Sequence, residues 1–81
     1  MSWKEENNCL QALFLFQDFK AAISFVVQVA LVAEKMNHHP EWTNAYNRVI
    51  IKLSTHDAGS IVTSKDRELA EAIDAIASSY L

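Results

Sequence analysis

The chain predicts an α+β fold: a single four-stranded antiparallel sheet with two long helices packed on one face. Three observations predict it. Two pairs of strand-like stretches are each divided by a short turn signal, two stretches repeat apolar residues at helical spacing, and the order along the chain is strand-strand-helix-strand-strand-helix. Residues 1–81 are expected to form one domain, because the length suffices for one core and not for two.

The first pair opens with a strand from Trp3 to Glu6. Asn7-Asn8 is its turn, since asparagine tolerates positive φ. Cys9 to Phe16 is the second strand, rich in apolar and aromatic residues. Leu13 and Leu15 alternate with Phe14 and Phe16, so this strand is apolar on both faces and calls for contact beyond one small core, with a sheet-edge partner as one such contact. Asp18 is the N-cap of a long helix. Phe19, Ala22, Ile23, Val26, Val29, Ala30, Ala33 and Met36 form its expected buried stripe, while Ala21, Phe25, Leu31 and Val32 lie off that stripe. A helix apolar on two faces needs two coverings, and the simplest second covering is another copy of the chain. The plain alternative is that the last helix covers both faces.

Pro40 ends the first helix, because the residue before a proline avoids helical geometry. Glu41 to Ala45 is the third strand, Tyr46-Asn47 its turn and Arg48 to Thr55 the fourth strand. Val49, Ile51 and Leu53 alternate with Arg48, Lys52 and Ser54, giving one buried and one polar face, with His56 at the strand end in the polar parity. Gly59-Ser60 is a loop. Thr63-Ser64-Lys65-Asp66 reads as a capping box opening the last helix, whose buried stripe is Leu69, Ala70, Ile73, Ile76 and Ala77.

Composition narrows the function classes. The 81 residues carry 7 Lys+Arg against 10 Asp+Glu, for a net charge of −3, and no basic cluster interrupts them. Direct nucleic-acid binding needs a positive face to neutralise phosphates, so it is not expected. The longest nearly uncharged run, Ala21 to Ala33, is shorter than the roughly 18–20 residues that span a bilayer, so no membrane span is expected. Cys9 is the only cysteine, which excludes a disulfide within one chain and suggests a reducing, cytoplasmic setting. So small a domain gains from oligomerisation.

The histidines carry the chemical interest. His38 and His39 follow the first helix and run into Pro40 and Trp42, and His56 follows the fourth strand. Imidazole is the side chain that ordinarily titrates near neutral pH, so three of them in two polar clusters suggest an acid–base site. Glu34 and His38 are four apart and share a helix face, where the carboxylate would fix the imidazole tautomer. His39 would then point about 100° away. The plain alternative for the pair is capping of the helix C-terminus. A zinc site built from Glu34, His38 and His56 competes, but neither HExxH nor CxxC occurs. Trp42 offers an aromatic face for a flat heterocycle, or ordinary packing. Asp66 reads more simply as a cap than as a catalyst.

Four segments together are specific: Glu34-x-x-x-His38-His39-Pro40-Glu41-Trp42, Tyr46-Asn47-x-Val49, Leu53-Ser54-Thr55-His56 and Asp66-x-x-Leu69-Ala70. With Phe16-Gln17-Asp18-Phe19 ahead of Ala22 and Phe25, they resemble the pterin-4a-carbinolamine dehydratase family over nearly the whole chain. The family members most similar double as the dimerisation cofactor of a hepatic homeodomain transcription factor. The resemblance implies dehydration of 4a-hydroxytetrahydrobiopterin to quinonoid dihydropterin, recycling tetrahydrobiopterin, with no metal or organic cofactor. It implies His38 and His56 as the acid–base pair, with Glu34 orienting His38, and His39, Pro40, Trp42, Thr55 and Asp66 as substrate-binding residues. It also implies a homodimer or homotetramer built through the sheet edge and the first helix, a homeodomain transcription factor as a second class of partner, and a cytoplasmic location, shared with the nucleus in a eukaryote. Asn37 stands where close relatives carry an aspartate.

Overall fold

Turn chemistry sets the two hairpins. Asn7 and Asn8 both hold positive φ, 52° and 63°, the backbone signature of the tight two-residue turn that matches strand twist. They join β1 (Lys4–Glu6) to β2 (Cys9–Leu15). β3 (Glu41–Ala45) and β4 (Arg48–Leu53) meet at Tyr46-Asn47, where Tyr46 is left-handed and Asn44 Nδ2 donates to the carbonyls of Tyr46 and Arg48. The computed structural model describes residues 3–80. Between and after the hairpins run α1 (Phe19–Met36) and α2 (Ser64–Ala77).

The four strands form one antiparallel sheet in the order β1-β2-β4-β3. The register sets Phe14 opposite Val49, Ala12 opposite Ile51 and Leu10 opposite Leu53. Successive strand residues point to opposite faces, so these six apolar side chains share the face on which both helices lie, and all six are buried. From α1 come Ala22, Phe25, Val29 and Ala33, and from α2 Leu69, Ala70, Ile73 and Ala77. The Phe25 ring centroid lies 5.1 Å from Phe14 and 4.7 Å from Phe16. That aromatic cluster ties the helix to the sheet, each such pair adding about 0.5–1.5 kcal/mol beyond area burial.

The structure revises three readings of the sequence. The buried face of α1 centres on Phe25, while Phe19 and Ile23, expected inside, are exposed. A helix that is apolar nearly all round gives periodicity little to choose between; the large ring at position 25 finds its volume against Phe14 and Phe16. β2 pairs on both sides, so it is not an edge, and Leu13 and Leu15 instead lie on the sheet face opposite the helices, each more than half exposed. The edges are β1 and β3. Finally, β4 ends at Leu53, and a 3-10 turn at His56–Ala58 follows. Gly59 closes that turn with φ 89°, a conformation natural to glycine.

Both expected helix starts are present. Asp18 Oδ1 accepts from the Ala21 N–H at 2.9 Å. In the capping box of α2, Thr63 Oγ1 accepts from the Lys65 N–H at 3.3 Å and Asp66 Oδ2 accepts from the Thr63 N–H at 2.9 Å.

Candidate active site

α1 stops at Asn37, three residues before the proline that was expected to stop it. Asn37 is left-handed (φ 52°, ψ 42°), its N–H reaches the Glu34 carbonyl and the His38 N–H reaches Ala33. These are the two bonds of a Schellman motif. His38 and His39 therefore leave the helix axis, and the expected pairing of Glu34 with His38 across one helical turn does not occur. Glu34 Oε1 instead lies 2.8 Å from His39 Nε2, both side chains being largely exposed.

His38 turns inward and meets the start of α2. Its Nε2 lies 2.6 Å from Asp66 Oδ1, a carboxylate with 0% exposure. Asp66 Oδ2 accepts from Thr55 Oγ1 at 2.7 Å and from the Thr63 N–H at 2.9 Å. Proton bookkeeping fixes the directions. A carboxylate only accepts, so Thr55 spends its one hydroxyl proton on Asp66, and the 2.7 Å contact between Thr55 Oγ1 and Thr63 Oγ1 is a donation by Thr63. By the same rule His38 carries a proton on Nε2, leaving Nδ1 as the acceptor of the neutral ring. Among the described residues no buried side-chain polar atom lacks a partner.

Burial by itself raises the Asp66 pKa. The hydrogen bonds from His38, Thr55 and the Thr63 N–H, with the attraction of His38 whenever that ring is protonated, outweigh it and hold the carboxyl below its ordinary value. Asp66 thus serves at once as a helix cap and as the buried anion behind His38.

Above this network lies an open cavity of about 170 Å³ whose lining includes His38, His39, Thr55 and His56, with Asn37, Ser54 and Lys65 around them. The chain brings these together from three places: the Schellman exit of α1, the end of β4 and the first turn of α2. His56 opens the 3-10 turn, and its Nδ1 lies 3.4 Å from Ser60 Oγ. Glu34, Pro40, Trp42 and Asp66, also expected at the site, do not line the cavity; Asp66 is fully buried behind His38, and Trp42 sits on edge strand β3 opposite Ile51. Glu34, His38 and His56 do not converge as a metal-ligand set, and no other group of three such side chains does so among the described residues. Ser54 and Lys65 carry no motif of their own, although Ser54 shares the strand parity of the residues leading to His56.

Residues 1–76 match the family model described as pterin 4 alpha carbinolamine dehydratase. The chain belongs to the pterin-4a-carbinolamine dehydratase family. A relative from Bradyrhizobium sp. strain BTAi1, described as "Putative pterin-4-alpha-carbinolamine dehydratase", is 54% identical over 79 residues, which is 95% of this chain and 79% of that protein. One of the same description from Opitutus terrae is 49% identical over 74 residues, covering 91% of this chain and 76% of the relative. The crystal structure of a transcriptional coactivator/pterin dehydratase from Brucella melitensis matches with TM-score 0.88 and 44% identity, over 93% of this chain and 81% of that one. A pterin dehydratase-like RuBisCO assembly factor of the alpha-carboxysome shares the fold, with TM-score 0.82 at 24% identity over 95% of this chain and 90% of that one. The pterin-4a-carbinolamine dehydratase fold thus hosts proteins described by several functions, as expected when function lives in sites grafted on a fold.

Proposed function

We propose that this family member dehydrates a pterin-4a-carbinolamine, 4a-hydroxytetrahydrobiopterin, to quinonoid dihydropterin and so returns a reduced pterin to use. The observation that carries the reading is the buried Asp66 carboxylate on His38, beneath a cavity that also presents His39 and His56. Loss of the 4a-hydroxyl breaks a C–O bond and needs a proton delivered to the departing oxygen. Formation of the new C=N bond needs a proton removed from the adjacent ring nitrogen. Positioned imidazoles do both near neutral pH. Asp66 holds the Nε2 proton of neutral His38, which leaves Nδ1 free to accept the ring-nitrogen proton. His56 faces Ser60 through Nδ1, so with Nδ1 accepting from the hydroxyl its Nε2–H is the donor for the leaving oxygen. His39 and Thr55 contact the substrate, and Glu34 orients His39. Asp66 acts through His38. No metal or organic cofactor enters the reaction.

The test is the rate of carbinolamine dehydration with purified protein against buffer. His38→Ala and His56→Ala should each lower kcat by about 10²–10⁴-fold. His39→Ala should act mainly on KM. A His56→Ala enzyme with unchanged kcat would remove His56 from the acid role.

A second reading, an interaction module, is favoured by one observation. Phe19, Ile23, Val27 and Leu31 stand four residues apart on α1, and all are exposed, Leu31 to 67%. Such a stripe suits a helical partner. A second copy of this chain comes first, giving a homodimer or, with the free edge of β3, a homotetramer. The coactivator description of the Brucella melitensis protein makes a transcription factor the alternative occupant. The two readings coexist, because the stripe and the histidine cavity involve different residues.

A further inference from the structure

One residue lining the histidine cavity stands where electrostatics disfavours it. Lys65 is the second residue of α2, and the first turn of a helix presents the positive end of its dipole, which favours carboxylates and opposes cations. Among the described residues no carboxylate forms an ion pair with its ammonium to offset that. Its backbone is nevertheless held in place. The Lys65 N–H donates to Thr63 Oγ1 at 3.3 Å, and the neighbouring Asp66 Oδ1 lies 2.6 Å from His38 Nε2. Lys65 therefore lines the cavity from the same turn that carries the anion behind His38. We propose that Lys65 is a specificity-determining residue: resting on the pterin reading above, its ammonium donates to the carbonyl oxygen of the bound ring and selects 4-oxo over 4-amino pteridines.

The reaction geometry and the donor inventory converge on that oxygen. The carbonyl carbon of the pterin is bonded directly to C4a, the carbon that loses the hydroxyl. A ring posed with its nitrogen at His38 and its hydroxyl at His56 thus carries the carbonyl oxygen next to the reacting centre. Thr55 already donates to Asp66, and both of those histidines are engaged with the reacting atoms. Among the described residues that line the cavity, Lys65 alone has a fixed positive charge. An ammonium has three N–H donors and no acceptor. Its bond to a carbonyl is charge-assisted and stronger than a neutral one. An amino group in the same place turns N–H toward N–H, and both partners lose water without replacing its hydrogen bond. The carbonyl persists through the dehydration, so the contact is alike before and during the reaction and acts on KM rather than kcat.

Calorimetry on the full chain tests the assignment with two unreactive ligands, a dihydropterin and its 4-amino counterpart, identical in every other substituent and both neutral at mildly alkaline pH. The native protein should bind the 4-oxo ligand roughly tenfold tighter, a difference of about 1.4 kcal/mol. Lys65→Met keeps the apolar stem and removes the charge. Its preference should vanish because the 4-oxo ligand weakens while the 4-amino ligand does not, and that unchanged affinity also reports a folded variant. The thermal midpoint of Lys65→Met should hold or rise, since a cation leaves the positive end of the helix. Lys65→Arg, which still donates with a fixed charge, should keep the preference. In turnover Lys65→Met should raise KM by about the same tenfold, with the loss absent from kcat. Equal affinities in the native protein, an equal loss for both ligands in Lys65→Met, or a loss confined to kcat would overturn the proposal. A native protein that binds neither ligand would take the pterin reading down with it. A preference for the 4-oxo ligand that survives Lys65→Met would remove Lys65 alone and leave the pterin reading standing.

Discussion

At the scale of single residues, Asp66 concentrates the most consequence in one side chain. It is fully buried, closes the α2 capping box and accepts from His38 and Thr55. Asp66→Asn keeps the shape but loses the charge and mismatches at least one donor, so it should destabilise the fold by about 2–3 kcal/mol and lower kcat, because the His38 tautomer is no longer imposed. The pH dependence follows from the depressed carboxyl. As pH falls through the ordinary carboxylate range, the unfolded chain takes up a proton that folded Asp66 still refuses. Protons then favour the unfolded state, and stability is lost until the folded carboxyl itself is protonated. Denaturant melts taken between about pH 5 and pH 3 should therefore slope downward toward acid in the native protein and be flatter in Asp66→Asn. Equal slopes would show that the carboxyl is not held low.

At the scale of elements, the end of α1 decides where the histidines go. Asn37 in the left-handed region lets the chain turn so that the His38 N–H reaches back to Ala33. Asn37→Ala keeps a Cβ in the left-handed region but removes the short polar side chain that eases it there, so it should lose part of the roughly 1–2 kcal/mol that this conformation costs, whereas Asn37→Gly should be neutral or slightly stabilising. Thermal melts of the pair check the cost, and a kcat loss in Asn37→Ala restored in Asn37→Gly would show that the cap aims His38. Much of this element structure was legible: Asp18, the Asn7-Asn8 turn and the Thr63–Asp66 capping box act within a few residues of where they stand. The Asn37 cap was not, because Pro40 three residues later gave a louder stop signal and the asparagine was read only as a departure from relatives.

At the scale of the whole molecule, two apolar surfaces on α1 have different fates. Phe25 is buried against Phe14 and Phe16, so Phe25→Ala should cost about 3–5 kcal/mol, read as a shift in denaturation midpoint. The stripe from Phe19 to Leu31 faces outward. Leu31→Glu should leave the monomer fold intact, because the new carboxylate is solvated. By placing charges in an apolar contact it should shift the protein to a lower oligomeric state in analytical ultracentrifugation. A native protein that sediments as a monomer at micromolar concentration would dismiss the second copy as the occupant. Among the described residues no helix is long and apolar enough to cross a membrane.

The sequence by itself determined the element order, the turns, the helix starts and the identity of the three histidines, because each rests on interactions between residues a few positions apart, which spacing alone encodes. The tertiary structure decided who meets whom. Asp66, whose spacing marks it as a cap and whose family resemblance implies substrate binding, lies 28 residues from His38 and is its partner, while Glu34, four residues away, pairs with His39. The order β1-β2-β4-β3 put Leu13 and Leu15 on an open face instead of an edge, and the rotation of α1 chose Phe25 over Phe19 and Ile23 for the core. Each of these outcomes depends on how strands are shuffled and how a nearly uniformly apolar helix is rolled. Those choices are settled by fitting volumes and by pairing buried polar groups across the core, for which local periodicity carries no record.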